Sequence, residues 1–213
     1  MKRLFKFILL FVLGLFVTLL AIPKVKGFGN ITYEHIITTV GEDPATSVRV
    51  NWHSEKLNTY LEYTLASDTS YANATTVTPE THMWSLPEQE TINGVTYNHE
   101  GFNRQYYFVN RAVIENLTPN TEYRYRVGKD GVMSADYTFK TAEGDNSNYT
   151  FLAVTDPQYY SASTAAHYND ILGRAYQLEP DFRFNVLSGD IVDRGGKVSQ
   201  WDMLFGLSNI KKT

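Results

Sequence analysis

The apolar residues of this chain keep three different rhythms. Phe7 to Ile22 is an unbroken run without charge, preceded by the basic opening Met1-Lys2-Arg3-Leu4-Phe5-Lys6. From Ile31 to Thr141 apolar and polar positions alternate over short stretches. Val48, Val50 and Trp52 alternate with Arg49 and Asn51, the mark of a strand with one buried face. Leu61-Glu62-Tyr63-Thr64 is a second short strand, and Tyr106 to Ile114 is a longer one. Asn93-Gly94, between Thr91-Ile92 and Val95-Thr96-Tyr97, is a strong hairpin signal. Tyr123, Tyr125 and Val127 alternate with arginines, and Tyr137, Phe139 and Thr141 close the set. Several short strands with turn residues between them and no helical period predict an all-β antiparallel sandwich over about residues 28–143.

The third rhythm runs from Tyr149 to Gly196 and predicts strand, helix, strand. Tyr149 to Thr155 is an apolar, β-rich run that stops at Asp156-Pro157-Gln158. Ala165, Tyr168, Ile171, Leu172, Ala175 and Leu178 recur at helical spacing, which places a helix from about Thr164 to Leu178. Pro180 ends it, and Phe182 to Leu187 forms the second strand, leading into Ser188-Gly189-Asp190-Ile191-Val192-Asp193-Arg194-Gly195-Gly196. A right-handed βαβ unit brings Asp156 and Asp190 out at the same edge of a parallel sheet. That carboxyl edge is where open α/β sheets bind ligands. Two carboxylates placed there repel unless a cation lies between them, and a pair of divalent metal ions suits the place. Two strands cannot cover both faces of a parallel sheet, so the part from Tyr149 to Thr213 is expected to be marginally ordered by itself, beside a sandwich able to fold independently.

Composition narrows the classes. Hydrophobic residues at 43% and charged residues at 20% describe an ordinary globular chain, and the 15 tyrosines favour β structure. With no cysteine, disulfides, iron–sulfur clusters and thiolate metal sites are excluded, so any metal is held by oxygen and imidazole. The segment to Gly27 carries Lys2, Arg3, Lys6, Lys24 and Lys26 and no acid; taking those five from the net charge of −4 leaves −9 for the remainder. A body so acidic is repelled by a nucleic-acid backbone, and duplex binding is not expected. Residues 1–27 have the layout of a secretory signal, with Val25-Lys26-Gly27 a weak cleavage candidate. The run is also nearly long enough for an anchor, so the protein is expected outside the cell, either secreted or held at the membrane by residues 4–22 and by nothing else.

Two stretches resemble known families. An Asp-bearing tip after one strand, followed by Gly189-Asp190-x-x-Asp193-Arg194-Gly195 after the next, resembles the calcineurin-like metallophosphoesterases. The resemblance implies an α/β/β/α domain, of which residues 149–213 are the N-terminal part and therefore an incomplete α/β domain. It implies two divalent metal ions (Fe, Mn or Zn), with Asp156 on one and Asp190 bridging both. The family's later Asn-His and His motifs have no counterpart before Thr213, so the chain is expected to be an inactive fragment by itself. Leu117-x-Pro119-x-Thr121-x-Tyr123 is similar to the tyrosine corner of fibronectin type III domains. Asp43-Pro44-Ala45-Thr46-Ser47-Val48-Arg49-Val50-Asn51-Trp52 is similar to the start of the N-terminal domain of purple acid phosphatases, where a sandwich precedes the phosphoesterase domain.

The implied activity is hydrolysis of a phosphate-ester substrate. Two metals polarise a phosphoryl oxygen and lower the pKa of a bridging water. Arg194 presents a planar fork for two phosphate oxygens, and Asp193 orients either Arg194 or a metal ligand rather than binding metal itself. Where purple acid phosphatases carry an iron-binding tyrosine, three residues after the bridging aspartate, this chain has Asp193, so an iron–tyrosinate centre is not expected. Where many relatives carry Asp-x-His, this chain has Gln158, either a weak neutral ligand or a loop cap. Plainer readings stand beside these. Gly-Asp and Asp-Pro are common turn dipeptides, an exposed Asp-Arg pair is worth under about 1 kcal/mol, and His167 reads as a solvated helix histidine. Trp201 and Phe205, four apart, read as the core face of a further helix. The tyrosine-rich strands allow another function class, an extracellular adhesion or binding module with a vestigial phosphoesterase part. Asn30, Asn73, Asn116 and Asn148 open Asn-x-Thr sequences that are acceptors only in a glycosylating host.

Overall fold

A computed structural model describes residues 33–84, 89–92, 95–98, 107–144, 149–195 and 197–209. The expected signal or anchor in residues 1–27, the turn Asn93-Gly94, Tyr106 and the acceptors Asn30 and Asn148 lie outside the described residues. Among the described residues no helix is long and apolar enough to cross a membrane.

One sheet of the sandwich contains β1 (Tyr33–Val40), β2 (Val48–Ser54), β8 (Tyr107–Ile114) and β5 (Glu80–Trp84), in the order β1-β2-β8-β5. The other is built on β9 (Glu122–Lys129), with β3 (Tyr60–Leu65) and then β4 (Thr75–Val77) on one side and β10 (Val132–Met133) and β11 (Tyr137–Lys140) pairing its other side. The pairings within both sheets are antiparallel. A separate hairpin joins β6 (Gln89–Ile92) to β7 (Val95–Asn98), with Ile92 opposite Val95, the register a two-residue Asn-Gly turn requires.

The alternation read from sequence is the alternation of burial. Val48, Val50 and Trp52 face inward while Arg49 points out, and Leu61, Tyr123, Tyr125 and Val127 meet them from the opposite sheet. Trp52 is fully buried, and its indole N–H donates to Thr59 Oγ1 at 3.1 Å, so its polar edge is satisfied inside the core. Asn110 is also fully buried: its amide nitrogen donates to Ser54 Oγ and the carbonyls of Trp52 and Phe108, and its oxygen accepts from Thr81. The Tyr123 hydroxyl accepts from the Thr118 amide at 2.9 Å, which closes the corner before β9.

The C-terminal α/β segment contains β12 (Leu152–Thr155), α1 (Ala162–Leu178), β13 (Asn185–Ser188) and α2 (Val198–Phe205). β12 and β13 are parallel, with Leu152 opposite Asn185 and Thr155 opposite Ser188. The helix starts two residues before the expected Thr164, because Ser161 caps it. The Ser161 side chain accepts from the Thr164 amide, and the Thr164 hydroxyl accepts from the Ser161 amide. Ala165, Tyr168 and Leu172 pack inward against Tyr159, Val192 and Leu204. Ile171 and Leu178, counted on the same face from their spacing, are instead exposed. The covered face of the two-stranded sheet carries Leu152, Val154 and Leu187; Ala153 and Val186 are exposed on the other, as two strands without a second layer require. Trp201 and Phe205 both pack on this core, as expected of the inner face of a helix.

Candidate functional site at the paired strand ends

Beyond the last ladder residues the two loops stay in register with each other. The Asp156 amide donates to Ser188 O at 3.0 Å, the Gln158 amide to Asp190 O at 2.9 Å and the Tyr159 amide to Ile191 O at 3.3 Å. The Asp193 amide then donates back to Tyr159 O at 3.1 Å. These bonds carry the sheet pairing past the strand ends and set the Asp156 tip beside the Asp190 tip. The conformation is sharply bent: Asp156, Gln158 and Gly189 all have left-handed backbones, with φ of 49°, 42° and 74°. A left-handed backbone is uncommon outside glycine and persists where its surroundings impose it.

At Gly189 the reason for glycine is visible. A Cβ there would lie 2.7 Å from Cγ and both carboxylate oxygens of Asp156, so the carboxylate rests directly against the backbone. Its Oδ1 accepts from the Asp190 amide at 3.3 Å, and its Oδ2 accepts from the Thr155 hydroxyl. The Thr155 bond first, and the Asp190 amide second, hold the Asp156 carboxyl below the usual carboxylate range. Gln158 donates from Nε2 to Asp190 Oδ2 at 3.3 Å. Asp156, Gln158 and Asp190 are thus brought together on one exposed edge. Their oxygens are hard donors of the kind divalent cations take. Among the described residues there is no group of three or more His, Cys, Asp or Glu arranged to hold a metal.

The rest of the loop is oriented by α2. Arg194 is exposed, and its Nε lies 3.6 Å from Asp193 Oδ2, the weak surface pairing its sequence suggests. Gln200 and Trp201, to which sequence reasoning gave no site role, hold the loop backbone. Gln200 Oε1 accepts from the Arg194 amide at 2.7 Å, and the Trp201 indole donates to Gly195 O at 2.8 Å. A glutamine in a short amphipathic helix carries no sequence signal for such a role; only its 2% exposure marks it. Thr155, the other missed contributor, reads in sequence as an ordinary strand residue. His167 lies on the exposed side of α1, away from the paired tips' hydrogen bonds.

The sequence profile of the purple acid phosphatase N-terminal domain matches residues 33–141. Among solved structures, purple acid phosphatase PPD1 from yellow lupin (Lupinus luteus) seeds is similar over 85% of this chain, with 18% identity and a TM-score of 0.65. This chain covers 33% of that structure, about a third of its length. The sensor domain of the anti-sigma factor RsgI4 of Pseudobacteroides cellulosolvens is 20% identical over 56% of this chain and 97% of its own, at a TM-score of 0.35. No curated protein matches.

Proposed function

Since the chain belongs to the purple acid phosphatase N-terminal domain family, we propose that its sandwich is the accessory module of an exported, metal-dependent phosphoesterase, and that residues 149–213 carry the first two metal motifs of the catalytic domain. The observation that carries this reading is the juxtaposition of Asp156 and Asp190 by main-chain pairing beyond two parallel strands. In it, Asp156 and Asp190 would hold two divalent ions, with Gln158 turned toward the same edge. A bound divalent pair supplies charge stabilisation at the phosphoryl oxygen and a water of lowered pKa. Arg194 binds the oxygens of a phosphate ester, Asp193 restrains the guanidinium, and Gly189 allows the Asp156 carboxylate to seat against the chain. The basic opening and apolar run of residues 4–22 support export, as a secreted protein or an anchored one.

The test pairs this chain with a form extended beyond Thr213. This chain should bind Mn²⁺ or Zn²⁺ weakly and hydrolyse p-nitrophenyl phosphate slowly or not at all. The extended form should do both, and Asp190→Asn should abolish its turnover with the sandwich still folded. An extended form that binds no metal favours the alternative, a binding module whose α/β part is vestigial. Turnover retained in Asp190→Asn removes Asp190 from the site.

A further inference from the structure

Three consecutive residues of α2 reach two parts of the molecule. Gln200 and Trp201 hold the backbone of Arg194 and Gly195, while Asp202 Oδ1 lies 2.8 Å from Nε2 of His35 in β1 of the sandwich. The His35 side chain is only 12% exposed; Phe205 of the same helix lies over its ring at 4.6 Å between centroids. On its far side, His35 Nδ1 lies 2.9 Å from Nδ1 of His53 in β2. A single helical turn therefore joins the sandwich to the loop that follows Asp190.

The sandwich bends its own strand to make this contact. β1 pairs with β2 at Glu34↔His53 and next at Ile37↔Asn51, so His35 and Ile36 both stand opposite the single residue Trp52. Ile36 fills the core, and His35 takes a left-handed backbone with φ of 50°. Such bulges re-aim a side chain at the edge of a ladder. Here the re-aimed side chain is the one that meets α2.

We propose that His35 and Asp202 are positioning residues through which the sandwich sets the Asp193–Gly195 loop. The proposal rests on the reading of that loop as a phosphate grip. His35 Nε2–H donates to Asp202 while its Nδ1 faces Nδ1 of His53, so the imidazole is held from both sides.

The experiment uses the full chain and follows hydrogen exchange of the Arg194 amide and the Trp201 indole by NMR, relative to intrinsic rates, at pH 7.5. The Leu61 and Val127 amides of the core serve as folding controls. In Asp202→Ala both loop protons should exchange roughly threefold to tenfold faster at pH 7.5, the effect of losing one hydrogen-bonded support. Asp202 is half exposed, so the variant should fold. His35→Gln, whose amide can still donate to Asp202, should keep the parent's protection, and His35→Ala should lose it as Asp202→Ala does. Equal protection in Asp202→Ala and the parent overturns the positioning role. Loss of protection in His35→Gln equal to that in Asp202→Ala overturns the role of the His35 donor. Mn²⁺ binding by the form extended beyond Thr213 separates the two readings, because an extended form that binds no metal sinks the phosphoesterase assignment and leaves the exchange result standing.

Discussion

Two left-handed glycines differ in what surrounds them, and a pair of alanine substitutions separates backbone strain from site geometry. Gly131 has φ of 80° with open space where a Cβ would go; Gly189 has φ of 74° with the Asp156 carboxylate 2.7 Å from that point. An L residue held left-handed costs about 1–2 kcal/mol. Gly131→Ala should therefore lower sandwich stability by about 1–2 kcal/mol in urea unfolding and leave the strand ends untouched. Gly189→Ala carries the same strain and must also push the carboxylate away. Real Cβ atoms do not approach to 2.7 Å, so Asp156 has to give up its place against Thr155 and the Asp190 amide. Those two hydrogen bonds are what hold the carboxyl below its ordinary range. The Asp156 carboxyl, followed by carbon-detected NMR, should then titrate closer to the ordinary aspartate value of about 3.9 in Gly189→Ala, and keep its depressed midpoint in Gly131→Ala. An unchanged Asp156 titration in Gly189→Ala would show that the carboxylate does not rest on the Gly189 backbone, and the site geometry would be wrong.

Other consequences are as direct. Tyr123→Phe removes the acceptor of the Thr118 amide and should destabilise the sandwich by about 1–2 kcal/mol, read as a lower urea midpoint at unchanged slope; an unchanged midpoint would deny the corner its role. Ser161→Ala removes half of a capping box and should cost about 1 kcal/mol, seen as faster exchange of α1 amides with the sandwich unaffected. Burial is the main cause that pushes Tyr125 and Tyr168 up to about 12. Because those folded-state values exceed the ordinary tyrosine value of about 10, their contribution is complete below about pH 10 and is lost as pH rises through about 12. Thermal unfolding should shift down steeply between those limits; a flat profile would mean that the rings are not sealed from solvent.

What the sequence discloses follows from how local each signal is. The alternation around Val50 and Trp52, and the alternation of Tyr123, Tyr125 and Val127 with arginines, record which face of a strand is buried, so the sandwich was legible. So was the pairing of Asp156 with Asp190, because neighbouring parallel strands end at the same edge of their sheet. Asp130-Gly131 was overlooked: with φ of 50° and 80° it turns β9 into β10, an Asp-Gly hairpin whose second strand is only two residues long. Periodicity placed Ile171 and Leu178 with Leu172, but a helix over two strands has only a narrow covered side. The expected strands Tyr149–Thr155 and Phe182–Leu187 shrink to Leu152–Thr155 and Asn185–Ser188 as regular ladders, although Arg183 still donates to Thr150 O and Leu152 to Phe184 O. The His35–Asp202 contact and the grip of Gln200 on the Arg194 amide join residues 167 and 6 positions apart. Nothing in either local pattern announces them.

The account turns on whether the two strand tips form one cation site. Trace Mn²⁺ added to the ¹⁵N-labelled chain tests this, because a paramagnetic ion broadens the amides nearest to it. Loss of signal first at Thr155, Asp156, Gly189 and Asp190, and its absence in Asp190→Asn, is the predicted result. Broadening spread over other surface carboxylates, or unchanged in Asp190→Asn, would contradict it.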